Sequence, residues 1–551
     1  MRLTSPDAVI IGSGASGGIA AKILAEGGIK VLLLERGDNH FVGLDRPEGI
    51  VTNHFGNDEL KFQHRDFIYH GPRIDPRTFR SSEDEEASFV GNVNALPSTV
   101  GGGTIDYDAF SPRIQQKHLR IKTLFGQLEG TSIEDWPISY DDLEPFYDEA
   151  EKIIGVQGEA GSNPFEEPRS SPFPMPPGYP RYDGLLLADA ARRLGYHPCP
   201  APAAINSMAY RGRPACANCG FCSGIGCAIN AKGSTAVTAI RDALLTGNCE
   251  LRPNSFVHLL KTNSSGTRIE SVEYIGPKGD KVVQQGGIFI LACNTIESAR
   301  LCLLSANDAH PSGLGNRSDM LGRNLMFHHD HLTIGVFPNR IHGHRGRTTS
   351  HAMDDFNIPP DPDDPNKVFG GGVWLFGGAL HPIAYAKHLP LIGASHKSWM
   401  RESKFRDYIT SIELIGEEPP VLTNRVDLDP KVRDVNGFPV ARITYKSHPN
   451  DQIAAEYYRP KIEEILWEAG AISVLWVDDV RPRRGPSSNH IAGTLRMGTD
   501  PDRSVTDPYG RFHDVENLYC ADGGLFVTST SYNPTMTQQA LAVRQAHHIL
   551  E

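Results

Sequence analysis

The chain has 551 residues, too many for one ordinary domain, and at 39% hydrophobic and 22% charged it can bury a large core. Lys and Arg number 54 against 66 acids, a net charge of −12, which excludes the basic face that a nucleic-acid partner requires. No apolar run approaches the roughly 18–20 residues of a membrane span, and nine cysteines are too few for a disulfide scaffold, although four of them fall between Cys216 and Cys227.

The first forty residues read as one strand–helix–strand unit. Ala8 to Ile11 is a short apolar strand, Gly12-Ser13-Gly14-Ala15-Ser16-Gly17 is the turn, Ile19 to Glu26 is a helix, and Val31 to Leu34 is the second strand, ending on Glu35. A glycine turn after a strand, opening a helix, with an acid 23 residues beyond Gly12, predicts dinucleotide binding. Gly12 allows the tight turn, Gly14 lets the backbone approach a pyrophosphate, Gly17 lets helix and strand close up, and Glu35 can accept from ribose hydroxyls. The residues ahead of Gly12 carry no apolar stretch of signal type, so the expectation is either cytoplasmic residence or export on a partner.

From Ser162 to Pro214 prolines are dense, and few regular elements are expected there. Further on, Cys216, Cys219, Cys222 and Cys227 have the spacing C-x2-C-x2-C-x4-C. Zinc sites use two C-x2-C pairs set a dozen or more residues apart, so zinc fits poorly. Ferredoxin loops run C-x2-C-x2-C-x3-C-Pro, which is close, but here the last interval is one residue longer and Ala228 replaces the proline. Free thiols or a disulfide are the bland alternative. Cys199, Cys249, Cys293, Cys302 and Cys520 read as core residues. From Phe327 to Val480, strand-like pieces at 407–413 and 440–445 with a helix at 451–468 suggest an inserted α+β domain. The run His328-His329-Asp330-His331 reads as a packed or substrate-facing strand in preference to a metal site, and His547-His548 as a pair favoured by a helix C-terminus. A last strand, Asn517 to Ala521, ends in Asp522-Gly523-Gly524, which suits a flavin's ribityl and pyrophosphate.

Several separated segments, in order, resemble the glucose–methanol–choline (GMC) oxidoreductases: the glycine unit with Glu35, Val100-Gly101-Gly102-Gly103-Thr104, Asp135 to Leu143, Ile290 to Ala292 with Glu297 to Arg300, Leu321 to Met326, Asn489 to Gly498, and Asn533 to Thr537. The resemblance implies an α/β Rossmann-like FAD-binding domain of GMC type with an inserted α+β substrate domain. It divides the chain into 1–160, the Pro-rich excursion 161–214, 215–326 with the cysteine loop, the substrate domain 327–484, and 485–551. It implies His490 as the base that takes a hydroxyl proton and Asn533 as the residue that orients that hydroxyl. It also implies FAD contacts from Gly12, Gly14, Gly17, Glu35, Gly101, Gly102, Gly103, Thr104, Val257, Asp522, Gly523, Asn533 and Thr535. Asp106 stands where some relatives carry a flavin-linking histidine, so the FAD is expected to be non-covalent.

A subgroup of bacterial sugar dehydrogenases is similar further, with a cysteine-rich loop for a three-iron (3Fe-4S) cluster. By that similarity Cys222 and Cys227 are ligands together with Cys216 or Cys219. The resemblance then implies a glucoside 3-dehydrogenase or gluconate 2-dehydrogenase type of catalytic subunit acting on a sugar or glycoside. It further implies a small accessory subunit bearing an export signal and a cytochrome c acceptor, hence a periplasmic place by co-export if not a cytoplasmic one. Trp374, Trp476 and the histidine strand are candidates to line the sugar pocket. The alternatives are an oxygen-using oxidase with structural cysteines, and a non-catalytic flavin or zinc-stabilised binding module.

Overall fold

The computed structural model describes residue 3 and residues 5–53, 74–91, 96–357, 368–378, 386, 391–402, 405–477 and 488–551. The expected domain limit at 484/485 lies outside the described residues. Four apolar strands and one amphipathic one form a parallel sheet in the order Leu518–Cys520, Ile288–Leu291, Ala8–Ile11, Val31–Leu34, Cys249–Arg252. The first and second strands of the sequence are buried at every residue, as a parallel sheet covered on both faces demands. The first helix runs Ala15–Glu26 and so starts four residues earlier than the sequence suggests. The small residues of the turn are helical because they must pack closely under the sheet, and this outweighs the poor helix propensity of Gly17 and Gly18.

A second, six-stranded sheet has the order Ser473–Val477, His328–Val336, Ile409–Glu417, Gly372–Phe376, His351–Met353, Cys199–Pro200. Its strands are antiparallel, with His328 opposite Glu417 and His329 opposite Gly416. Side chains alternate between the two faces. Trp374, Phe376, Ile412 and Leu414 share one core with Tyr458, Ile462, Ile465 and Leu466 of the helix Pro449–Glu468. Val373, Leu375 and Ile415 belong instead to the core built on the parallel sheet. The six-stranded sheet therefore presents one face to the helix and the other to the nucleotide-binding unit.

The Pro-rich excursion holds more structure than its composition suggests. In the proline-free interval between Pro180 and Pro198, the segment Tyr182–Arg193 forms a helix, with Leu187, Ala188, Ala190 and Ala191 buried. Cys199–Pro200 then joins the edge of the six-stranded sheet. The strand expected at 407–413 begins two residues later and runs Ile409–Glu417, after a short 3-10 turn at Phe405–Tyr408.

Candidate active site

A cavity of about 410 Å³ runs from the first glycine turn to His490 and Asn533. At its nucleotide end two glycines do opposite things. Gly12 has φ +102°, and any Cβ there would overlap the Ala292 carbonyl, so this position shapes the turn itself. Gly14 has an ordinary φ of −69°, and a Cβ there would meet nothing within 4 Å, because it would point into open space. That unfilled backbone approach is the room a pyrophosphate needs. A Cβ at Gly17 would run into the carbonyl of Gly12, so the helix and turn close on each other.

Glu35 closes the loop and faces the cavity at once. One carboxylate oxygen accepts from the Ser13 amide at 3.0 Å and the Ser13 hydroxyl at 2.6 Å; the other accepts from the Gly37 amide at 2.8 Å. The Gly101 amide donates to the Ser13 hydroxyl at 3.1 Å, which ties the second glycine run to the first. Gly102, Gly103, Thr104, Val257, Asp522, Gly523, Asn533 and Thr535 also line the cavity, while Gly17 and Gly101 stand behind its wall. Asp522 is fully enclosed, accepts from Ser298 at 2.5 Å and the Gly524 amide at 2.9 Å, and is shifted upward by burial. The cavity is also lined by Pro97, Ser98, Cys293 and Asn294, which sequence reasoning missed. Asn294 has φ +88° and caps the helix Thr295–Leu304.

At the other end three side chains form a chain of hydrogen bonds. His328 Nε2 lies 2.6 Å from the carbonyl oxygen of Thr530 and 3.2 Å from that of Ser529. His328 Nδ1 lies 2.8 Å from His490 Nδ1, and His490 Nε2 lies 3.1 Å from the Asn533 amide nitrogen. Carbonyls only accept, so His328 Nε2 carries a proton and donates. Neutral His328 then has only a lone pair on Nδ1, so His490 must donate from its own Nδ1. His490 Nε2 is left as a lone pair, into which the Asn533 N–H donates. The network thus fixes the tautomer of His490 from its far side. Burial first, and then the neighbouring His328, push the His490 ring well below the usual histidine range, so it is neutral near pH 7. Burial likewise lowers His328 to about 4. Thr530, a β-branched residue at φ +60°, is held in an uncommon conformation that aims its carbonyl at His328.

The structure thus brings His490 and Asn533 together, and adds His328, which the sequence showed only as part of a histidine-rich strand. His329 points to the opposite face, where a Cβ on Gly416 would overlap its ring, and neither of its ring nitrogens has a hydrogen-bond partner among the described residues. His331 shares that face and stacks on Trp476. Trp374 is fully buried against Phe356 and Tyr458 and lines no part of the cavity. The two tryptophans are therefore packing residues, contrary to the expectation that they line a sugar pocket. His547 pairs with Glu149 at 2.9 Å and His548 stacks on Tyr509, so specific neighbours explain this pair along with the helix end.

The cysteine loop touches the same cavity. Ser223 and Gly224 line it, and the Gly224 amide donates to the Asp106 carbonyl at 2.8 Å. All nine cysteines are free thiols. Cys222 is pushed up to about 12 by burial, against the opposing pull of the Lys232 ammonium. Among the described residues no three His, Cys, Asp or Glu side chains are gathered around one point as ligands of a single ion. The donor chemistry of four thiols suits an iron–sulfur cluster, whose several irons spread their ligands further apart than a single zinc does.

Two stretches of the chain, 186–330 and 420–542, match the family models described as GMC oxidoreductase. The 2-methyl-1,2-propanediol dehydrogenase of Mycolicibacterium austroafricanum is 30% identical over 98% of this chain and 95% of its own length. The chain belongs to the GMC oxidoreductase family. The fructose dehydrogenase large subunit of Gluconobacter japonicus is a further relative, 29% identical over 99% of this chain and 98% of its own. Among solved structures, pyridoxine 4-oxidase from Mesorbium loti shares the fold, with a TM-score of 0.60 at 16% identity, covering 98% of this chain and 99% of that one. This GMC protein is an FAD-dependent oxidoreductase, and the cavity's open backbone at Gly14 beside Glu35 has the room and the polar edge that FAD requires.

Proposed function

We propose that the protein is an FAD-dependent dehydrogenase that oxidises a secondary ring hydroxyl of a sugar or glycoside, with C3 of a glucoside as the first position to test. The observation that carries the reading is the tautomer of His490, whose Nε2 lone pair is turned toward Asn533 at the end of the cavity. FAD would be held without a covalent link by Gly12, Gly14, Glu35, Gly102 to Thr104, Val257, Asp522, Gly523 and Thr535, with Gly17 and Gly101 shaping the turns behind the cavity wall. When bound, it supplies the hydride acceptor. A substrate hydroxyl takes the place of the Asn533 N–H on the Nε2 lone pair and gives its proton to that atom as the base. The Asn533 N–H is then free to hold the substrate oxygen. Its Oδ1, buried without a hydrogen-bond partner among the described residues, is a second acceptor for a neighbouring hydroxyl. The positive charge on His490 is shared outward through Nδ1–H to His328, whose own N–H rests on the Thr530 carbonyl.

Cys222 and Cys227, with Cys216 or Cys219, would hold an iron–sulfur cluster of three-iron type, which supplies a one-electron acceptor beside the flavin. The contact of Ser223 and Gly224 with the cavity supports this arrangement. The similarity to a diol dehydrogenase and to the large subunit of a fructose dehydrogenase supports a hydroxyl-bearing substrate and a multi-subunit enzyme. The proposal therefore includes a small accessory subunit with an export signal, a cytochrome c acceptor and a periplasmic place. Among the described residues no helix is long and apolar enough to cross a membrane. The domain limits 1–160, 161–214, 215–326, 327–484 and 485–551 belong to the same proposal.

The test is iron and acid-labile sulfide analysis of the purified protein, with turnover of a glycoside panel measured against a dye and against oxygen. Iron, sulfide and dye-linked turnover are expected. Oxygen turnover without iron would replace this reading with the oxidase.

A further inference from the structure

The buried turn Ser529-Thr530-Ser531 supports both ends of the histidine network. The Thr530 carbonyl anchors His328 Nε2, and two residues beyond Ser531 the chain presents Asn533 to His490. Thr530 sits at φ +60°, which a β-branched residue keeps only where its surroundings impose it. Its own side chain imposes nothing, because Oγ1 is buried without a hydrogen-bond partner among the described residues.

The serines on either side do the holding. The Ser529 hydroxyl donates to the Glu418 carbonyl at 3.0 Å and accepts from the Glu418 amide at 3.0 Å. The Ser531 carbonyl accepts from the Val373 amide at 3.3 Å. Ser531 Oγ lies 3.2 Å from the Asn357 carbonyl oxygen and 3.2 Å from Glu417 Oε2. Glu417 stands opposite His328 in the antiparallel pair, so two neighbouring side chains on one face reach the same turn from two strands.

Proton counting decides the state of Glu417. A serine hydroxyl has one hydrogen and a carbonyl oxygen has none. Both contacts of Ser531 are hydrogen bonds only if its hydrogen goes to Asn357 and a second one, on Glu417 Oε2, comes to Ser531. Glu417 is therefore a carboxylic acid that donates. Its surroundings agree, since the side chain is fully buried, no cation among the described residues pairs with it, and burial pushes it up to about 8.

We propose that Glu417, as a neutral acid, is a positioning residue for the His328–His490 pair: it donates to Ser531, fixes the Thr530 carbonyl and thereby sets the tautomer of the base. This rests on the reading of His490 above and extends it to a residue that touches neither histidine's hydrogen bonds nor the cavity. Without the acid, Thr530 relaxes from its strained conformation and its carbonyl leaves His328 Nε2. His328 can then carry its proton on Nδ1 and donate to His490 Nδ1. The proton of His490 moves to Nε2, where the substrate's proton is due.

The experiment is steady-state kinetics with a glycoside and a dye acceptor on FAD-replete protein. The proteins are the wild type, Glu417→Leu, Glu417→Gln, Ser531→Ala, His328→Leu and the double variant Glu417→Leu/His328→Leu. Glu417→Leu and Ser531→Ala are each expected to lower kcat at least about 5-fold, the loss that follows from one buried group left unpaired, with KM within about twofold. Glu417→Gln, whose amide donates in place of Oε2–H, is expected to stay within about twofold of the wild type. The double variant is expected to match His328→Leu within about twofold, because both changes remove the same proton placement. Ser531→Ala decides the matter if Glu417→Leu fails to fold or to hold FAD. Wild-type kcat in Glu417→Leu and Ser531→Ala overturns the proposal. So does an equal loss in the Leu and Gln variants, or losses that multiply in the double variant. Wild-type turnover in His490→Ala overturns the base assignment and this inference with it, whereas a slow His490→Ala beside unmoved Glu417 and Ser531 variants overturns this inference alone.

Discussion

Replacing His328 by Leu removes the one acceptor among the described residues for His490 Nδ1–H, without touching a substrate-facing atom. Two responses are open to the site. His490 can keep its tautomer and leave a buried N–H unpaired, which costs about 1–3 kcal/mol. It can instead move the proton to Nε2, which fills the lone pair that should accept the substrate proton. At 1.36 kcal/mol per tenfold, the first response lowers the productive population by about 5- to 150-fold. The second approaches the full worth of a general base, about 10²–10⁴. Because the change acts on the base and not on substrate contacts, kcat falls while KM stays within about twofold. His328→Gln, whose side-chain oxygen can accept from Nδ1–H, should recover most of the loss. Steady-state kinetics with a dye acceptor on FAD-replete protein gives both numbers. Wild-type kcat in His328→Leu, or an equal loss in Leu and Gln variants, would refute the tautomer argument.

Three further outcomes follow from the geometry. Neutral His490 is the active form and its folded pKa is lowered, so kcat/KM should stay flat as pH falls through 6.5 and drop only on the acid side; a half-maximal point at or above 6.5 would contradict this. Gly14→Ala should leave the thermal stability of the flavin-free protein unchanged but lower FAD content, because its Cβ enters empty cavity, whereas Gly12→Ala should destabilise the fold outright. Glu417 is fully buried and shifted by burial to about 8, so the folded state holds a proton that the unfolded state has lost between the ordinary pKa of 4.5 and 8. The wild type therefore loses stability as pH rises through that window and levels off above it, and the melting temperature of Glu417→Gln relative to wild type should rise over the same range. A pH-independent difference would show that Glu417 titrates normally.

The nucleotide end was legible because its physics is local. A strand, a tight turn and a helix lie within twenty-six residues, and the positions of Gly12, Gly14 and Glu35 follow from that order. His490 and Asn533 were legible through their surrounding motifs, and they lie 3.1 Å apart. His328 was not legible, because period-two alternation shows that neighbours face opposite ways without saying which face meets the site. The same ambiguity misplaced Trp374, which sits on the helix side of the sheet with Phe376 while Val373 and Leu375 face the nucleotide-binding core. The helix Tyr182–Arg193 was hidden by its proline-rich approach, although it lies in the proline-free interval between Pro180 and Pro198.

The central claim is that His490 is the base for hydroxyl oxidation at the end of an FAD cavity. The most direct measurement is the anaerobic rate at which a glycoside bleaches the flavin absorbance in rapid mixing, compared between wild type and His490→Ala at equal FAD occupancy. The account predicts bleaching in the wild type and a rate at least about 10²-fold slower in the variant. Bleaching of His490→Ala at the wild-type rate would contradict it.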